Sequence, residues 1–207
     1  MKDPAFAKFV VLVNGAVPIA LLGWDAYQHQ LGANPVNHAI HVTGFVAIIF
    51  IGLTLAVTPV RKITGWNWLS HFRRMLGLYA FFYGAMHFLI YFAFQQSFSI
   101  PAVFQDTMGH RFIFFGMTAL VLMIPLALTS TNGMIKRLGA AKWKRLHKLV
   151  YIVAIAAAIH FWMQPKVVGL KQEIFAGTLV VLFGYRIIAW QLAESRKARA
   201  LAAAENA

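Results

Sequence analysis

The sequence predicts an all-α integral membrane protein: a bundle of six transmembrane helices with both termini in the cytoplasm. Three observations predict it. Of 207 residues, 60% are hydrophobic and only 12% charged, with mean hydropathy +0.65, whereas soluble domains carry about 25% charged residues. Six apolar stretches follow one another, each close to the ~20 residues that a spanning helix needs. The Lys and Arg residues concentrate in alternate connections, as the positive-inside rule requires of a multi-pass protein.

The helices are expected near residues 9–27, 42–60, 75–95, 112–130, 147–164 and 173–192, as one transmembrane domain over 1–207. The first has a basic start (Lys2, Lys8) but no A-x-A-like cleavage site, so it reads as a retained anchor rather than a signal peptide. Gly32 to Pro35 mark a turn before the second helix, and Pro101 marks one between the third and fourth. Trp66 and Trp68, flanking the loop after helix two, suit an interfacial belt. The first and fifth stretches are short, and flanking aromatic and polar residues extend them. The tail from Glu194 to Ala207 reads as a polar, Ala-rich helical extension.

The net charge of +13 resembles a nucleic-acid signature until the charges are placed. Arg61, Lys62, Arg73 and Arg74 lie between helices two and three; Lys136, Arg137, Lys142, Lys144, Arg145 and Lys148 lie between four and five. The ends supply Lys2, Lys8, Arg186, Arg196, Lys197 and Arg199, leaving only Arg111, Lys166 and Lys171 for the opposite side. The basic charge is topological, and nucleic acid is not needed to explain it. The sequence has no cysteine, which excludes disulfides, Fe–S ligation and covalent haem attachment through C-x-x-C-H. No nucleotide-binding fingerprint opens a βαβ unit, and no internal repeat stands out.

Of the eight histidines, three sit within or at the ends of predicted spans: His87, His147 and His160. An ionisable side chain in a bilayer is expensive and is a functional-site hypothesis by default. Neutral imidazole is also a common ligand for iron. With no thiolate available, histidines on neighbouring helices point to b-type haem in a helical bundle. The bland alternative for His87 and His160 is a buried ring bonded to a neighbouring helix. His29, His38, His71 and His110 fall in or beside loops, where a solvated histidine is ordinary. His41, at the outer end of helix two, is intermediate.

Depth supports a pairing. His87 lies 13 residues after Arg74, where helix three begins, and His160 lies 13 after His147. At 1.5 Å per residue both are ~20 Å from the cytoplasmic ends, in the outer half of the bilayer core. Both helices run outward, so a bis-histidine haem near the outer face follows; filled axial positions favour electron transfer over oxygen binding. His147 could hold a second, inner haem. Thirteen residues is about 3.6 turns, so stacking it below His160 needs tilt, or tighter winding near the helix start. His71 is a possible but poorly placed inner partner, and Arg73 lies nearly on the face of His87. Arg73 and Arg74 suit haem propionates through charge-assisted bonds, or serve only as a topological anchor.

Six segments carry a resemblance: LGANPV (31–36), IHVTGF (40–45), LTLAVTPVRK (53–62), RRMLGLYAFFYGAMHF (73–88), LALTSTNGM (126–134) and LHKLVYIVAIAAAIHFW (146–162). In order and spacing, over roughly residues 31 to 164, they resemble the MsrQ (formerly YedZ) family. That family is the haem-binding membrane component of the MsrPQ methionine-sulfoxide reductase system, within the ferric-reductase-like transmembrane group. The resemblance implies that His87, His147 and His160 match the family's haem-ligating histidines and that His41 matches a family histidine. The related oxidases pair two histidines on helix three with two on helix five; here the first of those positions reads Arg73. It further implies one or two b-type haems in a bacterial inner membrane. Electrons would pass from a cytoplasmic flavin reductase or the quinone pool to the periplasmic molybdopterin reductase MsrP. FMN is also attributed to the family, and no residue set in this chain specifies it.

Two other functions compete. A self-contained ferric or oxygen reductase would need an exposed metal site or an open haem position at the outer face. A proton-coupled transporter would use the histidines as relays, but relays usually recruit intramembrane Asp or Glu. The six acids (Asp3, Asp25, Asp106, Glu173, Glu194, Glu205) all lie at ends or in loops.

Overall fold

The computed structural model describes residues 4–164 and 168–205; Lys2, Asp3 and Lys166 lie outside them. Among the described residues there are helices and turns but no strand, and six helices are long and apolar enough to cross a membrane. The elements are α1 (Pro4–Tyr27), α2 (Pro35–Thr64), a 3₁₀ turn (Asn67–His71), α3 (Arg73–Ile90, prolonged by a π-helical turn Tyr91–Gln95) and α4 (Ile100–Gly109). They continue with α5 (Arg111–Leu128), α6 (Asn132–Leu138), α7 (Ala140–Leu146), α8 (Leu149–Met163) and α9 (Leu170–Glu205).

Local signals set the ends. Asn34 caps α2 through a bond from the Asn37 N–H at 3.1 Å, with Pro35 at the first helical position. Gly65, at φ 74°, closes α2 in the left-handed conformation that glycine adopts without cost. Ser99 caps α4, again with a proline following. Three short helices, α4, α6 and α7, occupy stretches that the apolar pattern leaves as loops. They are too short and too polar to cross a membrane, so hydropathy passes over them.

Helix α2 packs most extensively on α3, and α5 on α8. The bundle therefore contains two tight antiparallel pairs, which meet along α2–α8 and α3–α5. Small residues allow close approach: Ala154, Ala156 and Ala157 of α8 and Ala119 of α5 are all buried, as in other membrane helix interfaces. Large apolar side chains such as Phe82, Ile124, Ile155 and Val180 point outward, where lipid takes the place of a core.

Helix α1 is stitched to the bundle by two tyrosines of α3. Pro18 interrupts its hydrogen-bond ladder. The Tyr83 hydroxyl enters the gap, donating to the Gly15 carbonyl (2.7 Å) and accepting from the Ile19 N–H (3.2 Å). The Tyr79 hydroxyl donates to the Leu12 carbonyl, and its ring fills the space where a side chain on Gly15 would stand. Phe50 of α2 stacks on both rings. On the other flank, Arg186 of α9 lies inside a predicted span rather than at its end. Its guanidinium donates to the Leu55 carbonyl (2.7 Å) and lies over the Tyr151 ring, which satisfies a charge that would otherwise face hydrocarbon.

Candidate cofactor site

Two cavities lie end to end within the bundle. One, of about 440 Å³, lies toward the end where α4 sits; the other, of about 690 Å³, opens among the basic loops. Ile51 and Met123 are the residues that line both.

In the first cavity His87 of α3 and His160 of α8 face each other. Their ring centroids are 6.0 Å apart and their planes cross at 81°. Each ring is fixed in the same way. The His87 Nδ1–H donates to the Ile40 carbonyl at 2.9 Å, and the His160 Nδ1–H to the Phe112 carbonyl at 2.7 Å. One turn beyond each acceptor stands a glycine, Gly44 and Gly116. A Cβ at either would come within 2.8 Å of the histidine Nδ1. The two helix pairs thus repeat one device: a glycine notch on the first helix seats an imidazole from the second. In this tautomer Nε2 is left without a proton, and a carbonyl that accepts the other ring N–H commonly orients a metal-bound histidine.

The pair fits axial ligation of one iron. Metal–imidazole bonds of ~2.0–2.1 Å place two opposed ring centroids about 6 Å apart. No cluster of three or more His, Asp or Glu able to hold a bare metal ion occurs among the described residues; a porphyrin brings four nitrogens of its own. Phe45, Ile48, Phe88, Leu120 and Phe161 complete an apolar lining. His41 stands at the rim of the same cavity.

The rim also holds a polar network that sequence reasoning misses. The Tyr91 hydroxyl donates to Asp106 (2.5 Å), the Gln96 amide donates to both Tyr91 and Asp106, and His110 lies 2.7 Å from the second Asp106 oxygen. Two weak signals could have found it: a lone acid beside a predicted span, and the i, i+4 spacing of Asp106 and His110. The glycine notches had a signal too, since an interior helix glycine costs ~1 kcal/mol against alanine and so usually has a packing reason.

The second cavity contains His147, but not on a regular helix. It follows α7, and the next bonds (Val150 N–H to His147, Tyr151 N–H to Lys148) reach back three residues. The tighter winding considered for this helix start is therefore present. The ring stacks on Trp143 with centroids 3.8 Å apart, and its Nδ1–H donates to the Trp143 carbonyl at 3.1 Å. Its Nε2 is buried and makes no hydrogen bond of good geometry among the described residues, although the Leu126 carbonyl also lies near the ring. An orphaned imidazole nitrogen beside a large cavity fits a metal-bound group there. Arg73 and Arg74 line the same space, although Arg74 also donates to Asn132 (2.5 Å) and so ties α3 to α6. His71 lines the cavity from the 3₁₀ turn, exposed, its Nδ1–H donating to the Trp68 carbonyl. His29 and His38 line neither cavity.

Over residues 43–158 the chain matches the family described as ferric reductase like transmembrane component. Its class is therefore that of the ferric-reductase-like membrane proteins, and the matched stretch includes His87 and His147. The chain is 39% identical over 196 residues to the "Protein-methionine-sulfoxide reductase heme-binding subunit MsrQ" of Herminiimonas arsenicoxydans, covering 94% of this chain and 90% of that one. The proteins of the same name from Deinococcus radiodurans and Ralstonia nicotianae are 43% and 41% identical. They cover 83% and 90% of this chain, and 82% and 87% of their own lengths. The chain belongs to the MsrQ family.

Proposed function

We propose that this protein is the haem-carrying electron-transfer subunit of a methionine-sulfoxide reductase system in the bacterial inner membrane. On this reading both termini and the basic loops are cytoplasmic. Electrons enter from a cytoplasmic flavin reductase or the quinone pool and leave to the periplasmic molybdopterin reductase MsrP. The observation that carries the reading is the opposed pair His87 and His160, seated in matching notches 6.0 Å apart.

A b-type haem held by this pair supplies a reversible one-electron carrier. His87 and His160 would hold it through their Nε2 atoms, and a haem so held would carry electrons rather than bind substrate. The carbonyls of Ile40 and Phe112 hold the two tautomers and ring orientations. Phe45, Phe88 and Phe161 keep water from the site, which leaves little to reorganise when the charge changes. At the basic end His147 would hold a second haem. Arg73 and the remaining N–H groups of Arg74 would meet its propionates by charge-assisted bonds. His41, at the outer rim, would face the edge of the first haem. FMN, if it is carried, belongs among the same cytoplasmic cations, which also suit the steering of an acidic flavoprotein.

Haem per polypeptide in the purified, detergent-solubilised protein tests this reading. One or two b-type haems are expected, the second depending on His147. His87→Ala and His160→Ala should each remove one, together with reduction of MsrP; full haem retention in both variants refutes the ligand assignment. Reduction of ferric chelates or oxygen at full rate without MsrP would favour the self-contained reductase instead.

A further inference from the structure

Helix α4 divides its faces in a way that neither the cavities nor the helix pairs account for. Its ten residues extend about 15 Å, half the thickness of a bilayer core. They link the end of α3 to the start of α5, and both of those helices are long and apolar enough to cross. Helix α4 therefore stays at the bilayer surface at that end of the bundle. The chain leaves α3 through two successive non-glycine residues in the left-handed region, Ser97 (φ 47°) and Phe98 (φ 61°). Such residues break a helix line, and Ser99 then caps a new helix.

At about 100° per residue, three sectors follow one another around α4. Ile100, Phe104 and Met108 form the first, exposed by 74%, 67% and 59%, with Pro101 exposed at its edge. Gln105 and Gly109, also exposed, form a narrow second. Ala102, Val103, Asp106 and Thr107 form the third, which is turned toward the bundle. There Asp106 lines the His87–His160 cavity and accepts from Tyr91 and Gln96, while the Thr107 hydroxyl donates to the Val103 carbonyl of its own helix. The first sector has no polar side chain. Phe94 at the end of α3 and Phe114 in the first turn of α5 flank it and are exposed, so it continues the apolar belt of the crossing helices. Non-obligate protein interfaces are only about 56–58% apolar, whereas a wholly apolar stripe beside a polar strip suits a helix lying in the membrane plane.

We propose that α4 lies in the membrane plane with Ile100, Phe104 and Met108 among lipid acyl chains, and that this contact holds the Asp106 face at the rim of the His87–His160 cavity. The leaflet is the outer one in the proposed orientation. The partner is lipid hydrocarbon rather than a particular headgroup, since α4 carries no Lys or Arg. The Asp106 bonds fix the helix from the protein side and lipid fixes it from the other. Neither part depends on which cofactor the bundle carries.

The sequence has no cysteine, so Ile100→Cys, Phe104→Cys, Met108→Cys and Gln105→Cys variants of the full chain each take a single nitroxide label. In lipid nanodiscs, collision of the label with oxygen, which concentrates in lipid, is compared with collision with a water-soluble nickel chelate. The labels at the three stripe positions should favour oxygen and lie ~5–10 Å below the headgroup boundary; the label at Gln105→Cys should favour the chelate. Circular dichroism reports whether each variant folds, and two concordant stripe positions decide the result. For the second part, Ile100→Asn, Phe104→Asn and Met108→Asn are combined in the labelled Gln105→Cys protein, whose label should become several-fold more mobile. Phe104→Asn alone serves where the combined variant does not fold.

Stripe labels that favour the chelate would overturn the lipid seat and leave this face open to a soluble partner. Labels shielded from both would overturn it by showing the stripe covered by protein, such as a second copy of the chain. Unchanged mobility at Gln105→Cys in the asparagine variants would overturn the holding role of lipid and assign it to the Asp106 bonds alone.

Discussion

The two ends of this bundle solve one problem, seating an imidazole inside a membrane, in different ways. At the apolar end, each ring lies in a glycine notch and donates to a carbonyl of the neighbouring helix. Two helix pairs contribute equally. At the basic end, His147 bonds to its own segment, four residues back, and stacks on Trp143 of the same short helix. The first arrangement depends on the packing of α2 against α3 and of α5 against α8. The second depends on a local turn, with cations around it in place of apolar walls. The difference teaches that depth in the bilayer decides the support. Far from water the backbone of another helix is the available acceptor, whereas near the loops the chain folds back on itself.

The strongest way to break this contrast is Gly116→Leu or Gly44→Leu. A Cβ alone at either position stands 2.8 Å from a histidine Nδ1, so the ring must leave its seat. On the proposed function, haem at the apolar end should be lost almost entirely, while any cofactor at the basic end is retained in the optical spectrum. Loss of both would show that the two seats are not independent. Trp143→Ala is the complementary change: on the proposed function it should lower cofactor content at the basic end while leaving the haem of the His87–His160 pair. Next in size, Tyr83→Phe removes a hydroxyl that makes two buried bonds in the α1 gap. It should cost about 1–3 kcal/mol, read as a lowered unfolding temperature in detergent, with the haem ratio unchanged. A smaller effect is expected from Arg73→Gln combined with Arg74→Gln. On the proposed function, reduction by the cytoplasmic donor should slow several-fold and lose part of its salt dependence, with haem content unchanged. Smallest is Tyr91→Phe at the outer rim, which removes one bond to Asp106 and should leave haem content and donor-side kinetics unaltered.

The six crossings are legible because hydropathy is a property of whole segments and survives local detail. His87 and His160 stand out for the same reason: a titratable ring in an apolar run is costly wherever the neighbours lie. Their equal 13-residue offset from the helix starts already places them at one depth, and the structure brings their rings together. The notches were not legible in that way. Gly44 and Gly116 are single small residues in long helices, and nothing local says which helix will press against them. The matching of α2–α3 with α5–α8 was hidden because it resides in a geometry, Ile40 with Gly44 and Phe112 with Gly116, and not in a repeated string. The chain turn at His147 shows the opposite limit. An angular estimate that assumes one regular helix cannot see that winding tightens just where the ring must be aimed. Arg186 reads from sequence as a terminal anchor, yet its guanidinium bonds to Leu55 inside the bundle and lies over Tyr151, partners on other helices that the local sequence does not reveal.

Ile51 and Met123, the residues common to both cavities, put two apolar side chains where the cavities adjoin. An electron can cross a barrier of that kind by tunnelling, with no gate to open and no side chain to swing aside. Neither residue carries an exchangeable hydrogen, and the Met123 thioether is only a weak acceptor, so the pair offers a proton no relay. On the proposed function the protein is therefore a wire without a pore. Each electron it passes moves one charge across the membrane, so its work is coupled to the membrane potential.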